Sequence, residues 1–202
     1  DIAADPALVR HIRQVTSLPI CVSAVDPQLF PLVVDAGADL IEIGNFDCFY
    51  AQGRRFEAQE VLALTRQTRA LLPNITLSVT VPHILPLDQQ VELAQELVEA
   101  GADLIQTEGG TSSHPTSAGT LGLIEKAAPT LAAAYAISRS VSVPVLCASG
   151  LSNVTAPLAI AAGASGIGVG SAINKLDNEV SMIAVVRSLV EALEVNKVKV
   201  SV

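Results

Sequence analysis

The apolar positions of this chain alternate between two periods. Apolar residues three and four apart, the spacing of one buried helix face, recur near 6–16, 27–36, 57–71, 88–100, 120–141, 153–162 and 178–193. Between them lie short Val-, Ile- and Leu-rich runs near 19–25, 39–44, 75–81, 103–108, 144–149 and 166–169, which have strand length. A strand-like stub at 1–3 precedes Asp5-Pro6, an N-cap acid with proline at the first helical position. Alternating β and α elements predict a parallel sheet with helices against it. The tail 194–202 falls outside the pattern.

The alternation contains a repeat. Ala36-Gly37-Ala38-Asp39-Leu40-Ile41 recurs 64 residues later as Ala100-Gly101-Ala102-Asp103-Leu104-Ile105, and more loosely 62 residues further on as Ala162-Gly163-Ala164-Ser165-Gly166-Ile167. Each glycine stands where a helix would end and a strand begin, the place of a left-handed C-cap. Half the repeat is about 31 residues, the length of one βα unit with short loops. The repeat, a start inside a strand and glycine turns near the end favour a (β/α)8 TIM barrel over an open doubly wound sheet. The expectation is one domain over 1–202 that lacks strand 1 and most of strand 2.

Val143–Ile173 suggests a ligand. Gly150 ends one predicted strand; Gly168 and Gly170 end the next, and Ser171 follows. Adjacent glycine turns at the ends of parallel strands expose backbone N–H groups suited to an anion. In a (β/α)8 barrel the phosphate site commonly lies after strands 7 and 8. These four residues are the expected phosphate-binding set.

Half the residues are hydrophobic but only 3% are aromatic, so the core must be built from Ala, Val, Ile and Leu. That mix suits strands buried on both faces. The net charge of −8, with no basic run, argues against nucleic-acid binding, which rests on Lys and Arg contacts to phosphates. No apolar run reaches the roughly 18–20 residues of a membrane span. Cys21, Cys48 and Cys147 are too few and scattered for a disulfide framework or a cysteine zinc site, which points to a reducing compartment. The three histidines lack metal-ligand spacing, so no metal is assigned.

Strand alternation sorts the remaining chemistry. Glu42 shares a face with Leu40 and Gly44, and Gln106 is its counterpart in the repeat, with Glu108 one step further along. Thr76, Ser78 and Thr80 share a face, as do Cys147 and Ser149, which predicts a polar interior. Glu42 and Glu108 are candidates for general acid and base, with Asn45 beside them. The other reading makes Glu42 structural filling among hydroxyls. His83 follows a strand end, and Cys147 reads better as a small core residue than as a nucleophile. No lysine falls on an inner strand, which leaves no Schiff-base candidate.

Residues 44–56 form a long predicted loop holding three of the four Phe, one Tyr and Arg54-Arg55. Asn45 and Asp47 are its polar candidates, and either arginine offers an anion clamp. The same loop reads equally as a hydrophobic cover or, through 46–56, as a homo-oligomer contact. A second glycine- and serine-rich loop follows Glu108.

The segments IGNFDCFYAQGRRF (43–56), LSVTVPH (77–83), IQTEGGTSS (105–113), CASGLS (147–152) and GVGSAINK (168–175) together resemble a hypothetical chloroplast reading-frame family of unknown function, shared by cyanobacteria and algal plastids. The resemblance covers essentially the whole chain. It implies a (β/α)8 barrel and a cyanobacterial cytosol or plastid stroma, and it supplies no reaction. More loosely, the glycine turns resemble those of N-acetylmannosamine-phosphate epimerases and thiazole synthases. The epimerases' lysine and glutamate would fall at Ser23-Ala24-Val25 and Ala148-Ser149-Gly150, where neither occurs. The expectation is a barrel binding a phosphorylated small molecule or flavin mononucleotide (FMN), with isomerase- or lyase-type chemistry if it is an enzyme. The competing expectation is a non-catalytic ligand sensor or assembly protein.

Overall fold

Aspartate and proline at the helix starts, and glycine at the ends, punctuate this chain as its sequence leads one to expect. The computed structural model describes residues 2–50, 52–110 and 113–199, which cluster into two compact units, residues 1–106 and 107–202.

The first unit runs β1 (Ile2–Ala3), α1 (Pro6–Val15), β2 (Cys21–Ala24), a 3-10 turn (Pro27–Leu29) leading into α2 (Phe30–Asp35), β3 (Leu40–Ile43), α3 (Asp47–Tyr50), α4 (Ala58–Leu71), β4 (Thr76–Thr80), α5 (Leu87–Glu99) and β5 (Leu104–Gln106). Its strands pair in parallel and in sequence order. Asp5 caps α1, accepting from the Ala7 N–H at 2.8 Å, and Pro6 follows at the first helical position. The stretch near 27–36 splits in two because Pro31 has no N–H with which to continue the ladder. Val22, Ile41, Ile43, Leu77, Val79 and Ile105 are fully buried toward the helices. Helix α2 packs on β2, α4 on β3 and α5 on β5.

The second unit holds α6 (Gly119–Ile137), β6 (Val145–Ala148), α7 (Ala156–Ala161), β7 (Gly166–Gly168), α8 (Ser171–Asn174) and α9 (Glu179–Lys199), with β6 and β7 parallel. Cys147 packs with Ala127, Ala134, Leu151, Ala159 and Ala164 in the core between strands and helices. It is therefore a core residue and not part of an inner polar face. Pro129 lies inside α6 and leaves the Glu125 carbonyl without its ladder donor; the Ser113 hydroxyl donates to that carbonyl at 3.0 Å. The tail set outside the pattern continues α9 as far as Lys199, and 200–202 lie outside the described residues.

The internal repeat has a physical basis. Gly37, Gly101 and Gly163 have φ of +111°, +102° and +105°, the left-handed conformation that glycine adopts without penalty. Each ends its helix with the same pair of bonds: in the first copy Gly37 N–H donates to Val34 and Ala38 N–H to Val33. The aspartates fasten the next strand. Asp39 Oδ2 accepts from Ile20 N–H at 2.7 Å, and Asp103 Oδ2 from Leu77 N–H at 2.9 Å. Arg13 and Arg69 reach these carboxylates and also the carbonyls of Gly37 and Gly101.

Candidate functional site

The polar residues of the first unit form rows across the strands. Ser23 on β2 is in register with Glu42 on β3, and Glu42 with Ser78 on β4. All three point away from the helices, since their neighbours Val22, Ile41, Ile43, Leu77 and Val79 point toward them. One layer further along, Thr80 is in register with Gln106 on β5.

Glu42 is the centre of this array and is 1% exposed. Its Oε1 accepts a hydrogen bond from the Thr80 hydroxyl at 2.8 Å and another from Gln106 Nε2. Gln106 Nε2 also donates to Thr80 Oγ1 at 3.3 Å, so the three side chains form a closed triangle. Gly44 makes room for it. A Cβ there would lie 2.5 Å from Glu42 Oε1 and against Thr80 Oγ1. The hydroxyls of Ser23 and Ser78, on either side of Glu42, are buried without a hydrogen-bond partner among the described residues. Buried polar atoms without partners are few in folded proteins and mark places where something polar is expected to bind. Cys21 lies two residues before Ser23, and burial first, then the Glu42 charge, push its thiol up to about 12.

The chain leaves β3 through Asn45, a non-glycine residue with φ +57°. Asparagine tolerates this conformation better than most residues, and such positions cluster at functional sites. The turn carries Asp47 into the first position of α3. His83 lies three residues past the end of β4, and its Nδ1 is 3.5 Å from Asp47 Oδ1. The Tyr50 ring stands edge-on to His83, with centroids 5.3 Å apart. Asp47 and His83 were separate candidates in the sequence; the fold makes them a pair. Both follow the carboxyl ends of neighbouring parallel strands by three or four residues, which is the sequence signal that links them.

The aromatic loop folds onto its own unit. Phe46 and Phe56 are fully buried, with ring centroids 4.5 Å apart. Arg54 lies 4.4 Å over the Phe56 ring and bonds Glu60 at 3.0 Å. The loop is thus partly a cover, with α3 inside it, and Arg54 is committed to Glu60 and the rings. Phe49 and Tyr50 are only half-buried, and Arg55 is exposed.

In the second unit Glu108 is buried, near the start of the unit. Two residues on, Gly110 N–H donates to Ser149 Oγ at 2.9 Å. A Cβ on Gly110 would lie 2.5 Å from Gly150 N and Cα, so these two backbones touch. Ser149 and Gly150 both have positive φ, +73° and +76°. Gly150 is therefore required by conformation and by packing. Gly170 differs: its φ is −111°, and a Cβ there would meet nothing within 4 Å. Gly170 and Ser171 are exposed, directly after β7. The expected phosphate set thus divides into a structural glycine, Gly150, a strand residue, Gly168, paired with Ala148, and an open turn at Gly170 and Ser171.

Glu125 organises the loop after Glu108. Its carboxylate accepts from Thr116 N–H at 2.8 Å, Ser117 N–H at 3.0 Å and the Ser117 hydroxyl at 2.6 Å. These bonds, that of the Ser117 hydroxyl foremost, hold Glu125 below its ordinary value. No helix among the described residues is long and apolar enough to cross a membrane.

Three comparisons place the chain. The profile of a family described as "Protein of unknown function (DUF561)" matches residues 1–199. The uncharacterized protein ycf23 of Cyanophora paradoxa is 50% identical over 184 residues, covering 91% of this chain and 75% of that one. The protein of the same name from Porphyra purpurea is 41% identical over 196 residues, covering 97% and 74%. Among solved structures, a 3-hexulose-6-phosphate synthase matches with TM-score 0.63 and 18% identity over 93% of this chain and 80% of its own. A thiamine phosphate pyrophosphorylase from Pyrococcus furiosus matches with TM-score 0.60 and 20% identity over 94% and 75%. At these identities the likeness concerns the fold, a parallel α/β fold of the TIM-barrel-like enzymes.

Proposed function

We propose, for a chain that belongs to the DUF561 family of proteins of unknown function, a (β/α)8-barrel protein that binds a phosphorylated small molecule or FMN and performs isomerase- or lyase-type chemistry on it. The observation that carries the reading is the open turn at Gly170–Ser171 after β7, exposed and without a neighbour within 4 Å of the Gly170 Cβ position. Gly150, Gly168, Gly170 and Ser171 hold the phosphate, with backbone N–H groups as donors. Two of the fold's solved likenesses carry phosphorylated compounds in their names, which supports the ligand class. Phosphate binding supplies anchoring energy away from the reacting centre. Glu42 and Glu108, with Asn45, carry proton transfer. The setting is a cyanobacterial cytosol or a plastid stroma, and the loop 46–56 offers Phe49 and Tyr50 for contact with a second copy.

Thermal unfolding with inorganic phosphate, FMN and ketose phosphates at millimolar concentration tests the binding. A rise in Tm with at least one ligand, abolished in Gly170→Asp, supports the reading. The open space around Gly170 accommodates the aspartate, whose charge repels an anion. No shift with any of them overturns the reading.

A further inference from the structure

The first unit brings His83 and Asp47 together, a pair to which the proposed function gives no role. We propose that His83, oriented by Asp47, is the base that removes the proton next to the carbonyl of a phosphorylated α-hydroxy ketone. The inference rests on the phosphate-binding reading for its substrate class.

Asp47 follows β3 and His83 follows β4, neighbouring parallel strands, so the pair stands at the carboxyl ends of the strands. In barrels of this kind, side chains at those ends do the chemistry. His83 Nδ1 lies 3.5 Å from Asp47 Oδ1, and the His83 side chain is 7% exposed. A carboxylate facing Nδ1 keeps the proton on that nitrogen and makes Nε2 the basic one. The distance is long for a hydrogen bond, as catalytic contacts commonly are before a ligand closes them. The edge-on Tyr50 ring restrains the imidazole plane, and the left-handed turn at Asn45 aims α3 so that Asp47 arrives at the histidine.

Elimination within the unit agrees. The first unit contains no lysine, so its residues cannot form a Schiff base with a ketone. Thr80 and Gln106 hold Glu42 Oε1 in place, which suits it to a proton at the substrate oxygen and leaves the carbon proton to His83. His11, the other histidine of the unit, is exposed on α1. Histidine is the side chain whose ordinary pKa suits proton abstraction near neutral pH.

The step balances without a co-reactant. Nε2 takes the proton from the hydroxyl-bearing or hydroxymethyl carbon. The C–H pair becomes the C=C bond of an enediol(ate), and the carbonyl π pair moves to oxygen. The imidazolium then returns a proton to carbon and the electrons revert. In D2O the imidazolium exchanges its proton before returning it, so each reversal places deuterium on carbon.

Proton NMR in D2O with dihydroxyacetone phosphate and ribulose 5-phosphate reads this directly. The wild-type chain is expected to wash deuterium into the carbon next to the carbonyl. His83→Ala should slow this at least 100-fold and regain part of it on addition of free imidazole, a rescue that a purely structural histidine would not show. Asp47→Asn should slow it about tenfold, and a His83→Gln variant checks that loss does not reflect misfolding. Unchanged exchange in His83→Ala overturns the dyad while leaving phosphate binding intact. A wild-type chain that shows a thermal shift with these ligands but no exchange also overturns the dyad alone. Absence of both shift and exchange overturns the dyad and the phosphate reading together, so the thermal shift separates the two failures.

Discussion

Arg69 donates from Nη2 to Asp103 Oδ2 at 2.7 Å across 34 residues of sequence. The same guanidinium bonds the carbonyls of Gly101, Leu72, Pro73 and Ile75. A planar fork with five donors can satisfy such a cluster and an ammonium cannot. Arg69→Met is expected to cost about 2 kcal/mol, because carbonyls at a helix end lose their donors. Arg69→Lys should recover less than half of that. Urea denaturation of the three proteins checks it, and full recovery by lysine would refute the fork argument.

In the third copy of the repeat Ser165 replaces the aspartate, while Arg139 bonds the Ala162 carbonyl at 3.0 Å, one residue before the glycine, and Ser165 N–H still bonds Val145 O at 2.8 Å. Ser165→Asp restores the missing carboxylate. Its gain should be about 0.5–1 kcal/mol, the scale of an exposed ion pair. Thermal melts at low and high salt would show the gain shrinking as salt rises.

Asp39 lies below its ordinary value of 3.8, chiefly because Ile20 N–H donates to it and next because Arg13 does. A lowered folded value means that its stabilisation is complete above 3.8 and is lost as pH falls through the folded value. Glu125 behaves alike below 4.5, where protonation releases Thr116 and Ser117. Glu125→Gln should therefore flatten the acid limb of a stability–pH curve and speed proteolysis within 113–119 at neutral pH. A wild-type acid limb in the variant would contradict this.

Burial pushes the Cys21 thiol up to about 12 and also raises Cys147, whereas Cys48 is exposed. Thiolate is the reactive form. Iodoacetamide at pH 8 should label Cys48 in the folded protein and all three cysteines in urea, as read by peptide mass spectrometry. Labelling of Cys21 at the rate of Cys48 would contradict its raised thiol.

Gly44→Ala places a methyl against Glu42 Oε1 and Thr80 Oγ1. Overpacking of this kind costs about 1–3 kcal/mol. Glu42→Gln with Gly44→Ala should cost less than the sum of the two single changes, because both disturb one triangle. Additive losses in a double-mutant cycle would place Gly44 outside it.

Much of the fold was legible in the residues, and the reasons are local. Proline, aspartate and glycine fix where helices α1, α2 and α7 begin or end, and the left-handed glycines of the repeat mark each helix end. The division of β3 and β4 into Glu42, Ser78 and Thr80 on one face and Ile41, Ile43, Leu77 and Val79 on the other follows from a period of two. Cys147 is a core residue, as its type suggests, but the side of β6 it takes is not legible, because a strand of apolar residues on both sides carries no alternation to read. The turn of helix in the 44–56 loop was hidden by its aromatic residues, which are poor local helix signals but good packing partners for Phe46 and Phe56.

The sequence by itself determined the order of elements, the polar character of one strand face and the identity of Glu42, Asn45, Asp47 and His83 as polar candidates. Those properties depend on neighbours a few residues apart. Only the tertiary structure decided that Glu42 is clamped by Thr80 and Gln106, that Ser23 and Ser78 flank it without partners among the described residues, that Asp47 meets His83, and that Gly150 is needed for packing whereas Gly170 stands in open space among them. Each of these depends on register between strands 20 to 40 residues apart or more, a relation that chain-local propensities do not encode.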